Sequence, residues 1–179
     1  MFRLFIFTFF LSQGILAAPF LKKIEGFDLV DGIFKKVDIT DKEYIVIYFF
    51  NSNCPCSKAH FNHLNSLKNK YKKFQFVGFH SNKQISKKMA QKYFNRFEIN
   101  FPIFLDKKLF YANLFKALKT PHVFIIDSVG RIIFQGGATN SRNPKRSTKF
   151  YLLEALKSIN QGKKPKITYA KTLGCYIQR

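Results

Sequence analysis

The 179-residue sequence lacks any long apolar run beyond its N-terminal segment, and it lacks internal repeats and low-complexity blocks. No later stretch is therefore long and apolar enough to predict a transmembrane helix. The remaining chain is long enough for one domain with a full-sized hydrophobic core.

Acidic residues are also scarce, because 10 Asp and Glu accompany 31 Lys and Arg and leave a net charge of +21. A surface of this kind attracts anionic partners, so we expect peripheral contact with an anionic membrane surface. Nucleic acid is the other usual partner of a basic protein. We expect none here, because the sequence contains no nucleic-acid-binding motif.

The N-terminal segment has the layout of a secretory signal peptide. Arg3 supplies an early cation, Leu4–Leu11 is apolar, and the small residues Ala17 and Ala18 follow. A membrane anchor is the alternative, but this run is too short to span a bilayer comfortably. We therefore predict a signal peptide over residues 1–18 and a mature protein secreted across the inner membrane into the periplasm. Disulfides persist in such a compartment.

Strands and helices alternate along the rest of the chain. A hairpin is predicted at 26–40, strands at 44–50, 74–80, 122–127 and 131–137, a short extended piece at 101–106, and helices at 57–71, 82–94, 108–118 and 147–162. Ser147 is the expected N-cap of the last helix, and Gly162 its stop signal. This order predicts an α/β fold with a central mixed sheet flanked by helices on both faces.

Only three cysteines are present: Cys54, Cys56 and Cys175. An odd number is awkward for a purely structural set of disulfides, because one thiol must stay unpaired or react. Cys54 directly precedes a predicted helix, where backbone N–H groups and the helix dipole lower the pKa of a thiol. Pro55 suits the first helical position. The alternative is a buried, inert cysteine, but the junction favours a reactive Cys54.

The spacing of the first two cysteines argues against a simple redox pair. In a helical turn, residues i and i+3 share a face, whereas residues i and i+2 point roughly 200° apart. The residue three positions after Cys54 is Ser57. A Cys54–Cys56 disulfide would therefore be strained and easily reduced. Cys175, in the predicted C-terminal tail 163–179, is the other candidate partner, and the sequence leaves this choice open.

Four segments together resemble the thioredoxin-like superfamily, in particular its redoxin branch (the alkyl hydroperoxide reductase/thiol-specific antioxidant type). They are YIVIYFFNSNCPCS, INFPIFLDKKLFYANLFKALKTPHVFIID, VGRIIFQGG and GFDLVDGIFKKVDITDKEYIVIYF. The resemblance covers roughly residues 24–160, within a predicted domain of residues 19–162. It implies a thioredoxin-like fold, Cys54 as the attacking thiol, and a cis-proline turn at Thr120 and Pro121. The backbone of Thr120 would then dock the substrate as an extra strand.

The predicted signal peptide, the cysteine at a strand–helix junction and the resemblance together predict an exported thiol–disulfide oxidoreductase. Cys54 would attack a disulfide, and Cys56 or Cys175 would resolve the resulting mixed disulfide. The expected partners are a protein or small-molecule disulfide or thiol substrate and a thiol electron donor, and no cofactor is expected.

A thiol peroxidase of the redoxin type is the first alternative. A peroxiredoxin would carry Thr or Ser three residues before its reactive cysteine, whereas Asn51 and Asn53 precede Cys54 and Cys56 by three. Arg131 or Arg142 would be the cation available to polarise a peroxide, but an arginine alone decides little.

A non-enzymatic copper-binding or metallochaperone module is the second alternative. Thiolate and imidazole ligands suit Cu(I) or Zn²⁺. His60 and His63 lie close to the two cysteines in sequence, and His122 follows Pro121. Exported copper chaperones of thioredoxin fold place three residues between their cysteines, whereas this chain has one. We therefore interpret His60 and His63 as surface or packing residues and assign no metal ligands.

Overall fold

The computed structural model describes residue 21 and residues 23–179, so the predicted signal peptide lies outside the described residues. The strands of the described part are β1 (Lys23–Phe27), β2 (Phe34–Asp38), β3 (Tyr44–Phe50), β4 (Phe74–His80), β5 (Ile103–Leu105), β6 (Lys119–Thr120), β7 (His122–Asp127), β8 (Ile132–Gly136), β9 (Tyr169–Ala170) and β10 (Cys175–Tyr176). The α-helices of this part are α1 (Pro55–Lys70), α2 (Lys87–Phe94), α3 (Phe110–Leu114) and α4 (Tyr151–Asn160).

A six-stranded mixed sheet of order β5-β4-β3-β7-β8-β9 forms the centre of the molecule. Strand β3 runs parallel to β4 and antiparallel to β7, so it lies in the middle of the sheet. Strands β1 and β2 pair antiparallel in a separate hairpin. The last two-stranded ladder joins β10 to β6.

Alternate side chains of β3 enter two hydrophobic clusters, one on each face of the sheet. Val46, Tyr48 and Phe50 belong to the cluster that also takes the buried residues of α1, α2 and α4. Ile45, Ile47 and Phe49 belong to the cluster completed by α3 and the N-terminal hairpin. Because successive side chains of a strand point to opposite faces, a strand buried on both sides reads as one continuous apolar run. The expectation of a mixed sheet with helices on both faces is confirmed.

Strands β3, β4 and β7 have the predicted bounds, but helices α2, α3 and α4 begin later than predicted. Helix α2 starts at Lys87 rather than at residue 82, because the hydroxyl of Ser86 accepts the backbone N–H of Met89 and caps it there. The expectation that Ser147 caps the last helix is wrong. Ser147 follows a 3-10 turn at Pro144–Arg146, and the N-cap of α4 is Phe150.

The predicted helix 108–118 is shorter and irregular. A 3-10 turn at Lys107–Leu109 precedes the five residues of α3, and the carboxylate of Asp106 accepts the backbone N–H groups of Tyr111 and Ala112. Among the described residues, no helix has the length and apolar character needed to cross a membrane.

The C-terminal tail is structured and returns to the domain. Strand β9 pairs parallel with β8, and a Cβ added at Gly136 would clash with the backbone carbonyl of Ala170. The chain then turns back, and β10 pairs antiparallel with β6. The tail is therefore held at two points, and the second of them lies beside Cys54.

Candidate active site: three thiols at a strand–helix junction

Cys54 lies in a short loop between β3 and α1 that one asparagine organises. The side-chain oxygen of Asn51 accepts the backbone N–H of Asn53 at 2.9 Å and the side-chain amide of Asn82 at 3.0 Å. The backbone carbonyl of Asn51 accepts the N–H of Cys54 at 2.9 Å. The hydroxyl of Ser57 accepts the N–H of Asn51 at 3.1 Å. The side chain of Ser57, three residues after Cys54, therefore stabilises this loop instead of supplying a second thiol.

Cys54 is the N-cap residue of α1, with extended backbone angles, and Pro55 occupies the first turn. Its side chain is buried, with 1% of its surface exposed. The Sγ atom lies 3.1 Å from the backbone carbonyl oxygen of Thr120 and donates to it while the thiol is protonated. The peptide bond between Thr120 and Pro121 is cis, as the resemblance implied.

The tail brings the third cysteine to the same place. In the β10–β6 ladder, Cys175 pairs with Thr120 and Tyr176 pairs with Lys119. The Sγ atoms of Cys54, Cys56 and Cys175 all lie within 4.8 Å of one another, and all three are free thiols. The structure thus brings together every cysteine that the sequence singled out, beside the backbone of Thr120.

The three thiols differ in their tendency to ionise. Burial raises the pKa of Cys54, but the neighbouring Cys175 thiol and nearby backbone N–H groups outweigh burial, so its net pKa is lowered. The contact with the Thr120 carbonyl favours the protonated thiol, because a carbonyl oxygen only accepts. Ionisation therefore breaks that contact, while the donors, including the N–H groups of Ser57 and Cys175, stabilise the thiolate.

The neighbouring thiols are harder to ionise. Burial, together with the charge of Cys54, raises the pKa of Cys56, and the positive charge of Arg142 partly opposes this. Burial and hydrogen bonding to Cys54 raise the pKa of Cys175 to about 12. Of the three thiols, Cys54 is therefore the first to ionise as the pH rises.

The basic side chains that the sequence suggested fall into two groups. Arg131 is bound to Asp127, with its Nε atom 2.6 Å from the carboxylate. Arg142, in contrast, is near enough to act electrostatically on Cys56. Of the two arginines considered for polarising a peroxide, Arg142 is thus the one whose charge lowers the pKa of a thiol in the cluster.

The histidines stay outside the thiol cluster, although they lie near it in sequence. His60 is buried, and its Nδ1 lies 2.8 Å from the backbone carbonyl of Cys56. Desolvation by burial lowers the pKa of His60 to about 4, so its ring is neutral. His63 packs against Phe150, and His122 packs against Phe124. The interpretation of His60 and His63 as packing residues agrees with these contacts.

A family model described as thioredoxin-like matches residues 41–132. The chain belongs to the thioredoxin-like family. The matched segment contains β3, the cysteine loop, α1 and the Thr120–Pro121 turn, whereas the tail that carries Cys175 lies beyond it.

Solved structures of this thioredoxin-like protein's neighbours support the same fold. An uncharacterised conserved protein from Geobacillus kaustophilus superposes with a TM-score of 0.78 at 22% identity, covering 94% of each chain. A hypothetical protein from Sinorhizobium meliloti gives 0.76 at 19% identity, covering 93% of this chain and 96% of that one. A putative thiol:disulfide interchange protein DsbE from Chlorobium tepidum gives 0.56 at 21% identity, covering 81% and 91%. A search of curated proteins found no significant match.

Sequence reasoning missed the ladder between β10 and β6 and the close approach of Gly174 to Thr120. The ladder between β10 and β6 has only two residues on each side, too few to show a periodic pattern. Gly174 precedes Cys175 directly, and a Cβ there would clash with the carbonyl oxygen of Thr120. A glycine beside a candidate cysteine was the one available signal that the backbone passes close to another element.

Proposed function

We propose that this protein is an exported thiol–disulfide oxidoreductase in which Cys54 is the nucleophile. The observation that carries the proposal is the thiol cluster: a cysteine with a lowered pKa, at a helix N-terminus beside Thr120, has two further thiols within reach. A thiolate is the reactive form of cysteine in disulfide exchange. Thiol–disulfide oxidoreductases also occur among the structural neighbours.

The proposed reaction consists of two exchange steps. The thiolate of Cys54 attacks one sulfur of a substrate disulfide, forms a mixed disulfide and releases the other substrate sulfur as a thiolate. A second cysteine of the protein then attacks the Sγ of Cys54 and releases the remaining substrate thiolate. The substrate gains two electrons, the protein is left with an internal disulfide, and an external thiol donor restores the two thiols.

Cys175 is the better candidate for the second step. Its Sγ lies within 4.8 Å of the Sγ of Cys54, and its strand pairs with Thr120, whose carbonyl oxygen contacts Cys54. Cys56 lies in the first turn of α1, where the helix dictates its direction. The proton on Cys175 must leave before it attacks, and the substrate thiolate released in the first step is the base available to take it.

Turnover of a disulfide by the mature protein tests this proposal. We expect the wild-type chain to reduce a small aromatic disulfide with a thiol donor present, and the Cys54→Ser variant to lose this activity. Peptide mapping of the oxidised protein should then find Cys54 bridged to Cys175. Full activity without Cys54 would overturn the proposal, and a Cys54–Cys56 bridge would reassign the second step.

The periplasm is the proposed location, on the strength of the N-terminal segment described above. Protein or small-molecule disulfides are the proposed substrates, and the basic surface suits peripheral contact with anionic lipids. Fractionation of cells that produce the full chain would test the location, because a signal peptide predicts a shortened product outside the cytoplasm.

One observation favours a second function, the binding of Cu(I). Metal–sulfur bonds of about 2.3 Å put the thiolates of a trigonal site about 4 Å apart. The three sulfurs lie within 4.8 Å of one another, so small side-chain shifts would fit them to a soft cation. Stoichiometric Cu(I) uptake that requires all three cysteines, measured by competition with a colorimetric chelator, would support this function. Weak binding that is unchanged in Cys175→Ser would remove it.

A further inference from the structure

The last residues of the chain occupy the backbone edge that lies beside the reactive sulfur. We define the tail strand as residues 174–177. Its cysteine pairs with Thr120, whose carbonyl oxygen contacts Cys54. An incoming polypeptide that paired with the same edge would have to replace the tail strand.

Two positions of the tail strand are shaped to this edge. Gly174 has no side chain, and a Cβ there would clash with the carbonyl oxygen of Thr120. Ile177 is buried within the cluster that contains Phe115 and Ala117, and its N–H donates to the carbonyl of Leu118 at 2.9 Å. The edge therefore accepts a glycine before the cysteine and an aliphatic side chain two residues after it.

Other contacts also hold the tail strand but place no requirement on the glycine or aliphatic positions. The side chain of Lys119 lies over the ring of Tyr176, 4.6 Å from its centroid. Arg179 donates to the carbonyl of Ala117 at 2.8 Å and to the side-chain oxygen of Asn113 at 3.2 Å. The contact with Asn113 is exposed and the contact with Ala117 is partly buried, and exposed contacts of charged side chains contribute little to holding the tail strand.

Cys54 cannot be reached while the tail strand is docked. Only 1% of its surface is exposed, and the Sγ of Cys175 lies within 4.8 Å of its sulfur. Exchange with any disulfide requires a nearly straight approach of three sulfurs, so one neighbour of Cys54 must move aside. The tail strand is the neighbour that we expect to move, because it is paired through a ladder of only two residues on each side.

We propose that the tail strand is an internal substitute for the substrate. The substrate of this site is then an extended polypeptide whose disulfide-bonded cysteine follows a glycine and precedes an aliphatic residue by two positions. This inference rests on the proposed attack by Cys54, and it adds the recognition rule and the competition between substrate and tail.

Because the substrate strand and the tail strand compete for the same backbone edge, the steps of the reaction follow a fixed order. The substrate strand replaces the tail strand, its disulfide is attacked by Cys54, and a thiolate leaves. The tail strand then returns to Thr120 and brings Cys175 to the mixed disulfide. Attack by Cys175 forms the Cys54–Cys175 bond and releases the substrate as a thiolate. A thiol donor supplies the two electrons that reopen this bond.

Short peptides test the recognition rule. The probe is the peptide Gly-Cys-Tyr-Ile with capped ends, its cysteine joined by a disulfide to a thionitrobenzoate leaving group. Its matched controls replace glycine by valine or isoleucine by asparagine. The rate is the release of coloured thionitrobenzoate in a single turnover of the full mature chain, minus the rate of the Cys54→Ser variant. We expect the glycine peptide to react about tenfold faster than either control.

A variant of the tail tests the competition. Gly174→Val should dislodge the tail strand and raise the rate with the glycine peptide by about tenfold, while the preference among the peptides persists. Gln178→Ala is the matched control, because this exposed residue lies in the same segment, and its rate should equal that of the wild type. Circular dichroism of both variants establishes that the domain remains folded.

The results separate this inference from the proposed function. Bis-thionitrobenzoate disulfide, which has no peptide backbone, reports attack by Cys54 alone. If it reacts through Cys54 while the three peptides differ by less than about twofold, the recognition rule is wrong and the proposed function stands. An unchanged rate in folded Gly174→Val would remove the competition. If even the small disulfide fails to react through Cys54, the proposed function itself fails.

Discussion

The two cysteines that meet at the site are held by very different parts of the molecule. Cys54 lies between a central seven-residue strand, six of whose residues are buried, and a sixteen-residue helix. Cys175 lies in a two-residue strand that pairs with another of two residues at the edge of the domain. The core of the domain positions the first thiol, whereas a short ladder and one buried isoleucine position the second.

This difference shows how one site combines a fixed group with a movable one. Local opening requires little free energy where few apolar contacts and few backbone hydrogen bonds must break. The tail meets that condition, while the junction before α1 moves only if the core itself opens. A fixed nucleophile and a displaceable partner are what two successive exchange steps require, since substrate and Cys175 must reach the same sulfur in turn.

Removing the fixed thiol should produce the largest effect. Cys54→Ser should lower the rate of disulfide reduction by about a thousandfold or more, because a serine hydroxyl is not ionised near neutral pH. Steady-state reduction of a disulfide by a thiol donor measures this. Cys56→Ser is the matched control and should retain most of the activity. An equal loss in both variants would mean that Cys54 has no special role.

Removing the movable thiol should affect only the second step. Cys175→Ser should lower turnover by about a hundredfold but change the first attack by less than about threefold, since the serine hydroxyl still provides a donor beside Cys54. The mixed disulfide should accumulate and be visible by mass spectrometry of the intact protein. If it accumulates in Cys56→Ser instead, the resolving role belongs to Cys56.

The pH dependence should distinguish the two thiols without changing the fold. Because the pKa of Cys54 is lowered and that of Cys175 is raised to about 12, the first thiolate to appear as pH rises should be on Cys54. Titration by thiolate absorbance should place this step below the ordinary pKa of 9.0.

Two substitutions at one position provide the control for that titration. Cys175→Ala removes the donor and should move the pKa of Cys54 upward, whereas Cys175→Ser keeps a hydroxyl donor and should move it less. Identical titrations in the two variants would show that the Cys175 thiol does not stabilise the thiolate of Cys54.

Loosening the tail should have the smallest effect on the whole molecule. Ile177→Ala should expose the amides of the tail strand to hydrogen exchange yet lower the global free energy of unfolding by less than about 1 kcal/mol. Phe49→Ala is the contrasting substitution in the core and should cost about 3–5 kcal/mol. Hydrogen exchange followed by mass spectrometry measures the exposure of the tail amides, and denaturant unfolding measures the global free energy of unfolding. A global loss from Ile177→Ala as large as that from Phe49→Ala would show that the tail is part of the core.

The sequence by itself determined the central strands and the placement of the first thiol. Strands β3 and β4 have the predicted bounds, because strands covered on both faces must be apolar throughout. Cys54 and Pro55 mark the start of α1 through local chemistry that needs no distant partner. The start of α2 was predicted too early, since hydrophobic periodicity does not reveal which residue caps a helix.

Only the tertiary structure decided which groups meet Cys54. The tail returns past Gly136 and pairs at Thr120 through two short ladders, and neither carries enough residues to show a pattern. Gly174 makes that approach possible because it has no side chain, a requirement that arises only when two distant backbones meet. Local interactions along the chain therefore predict the nucleophile, while its partner is set by contacts between segments far apart in sequence.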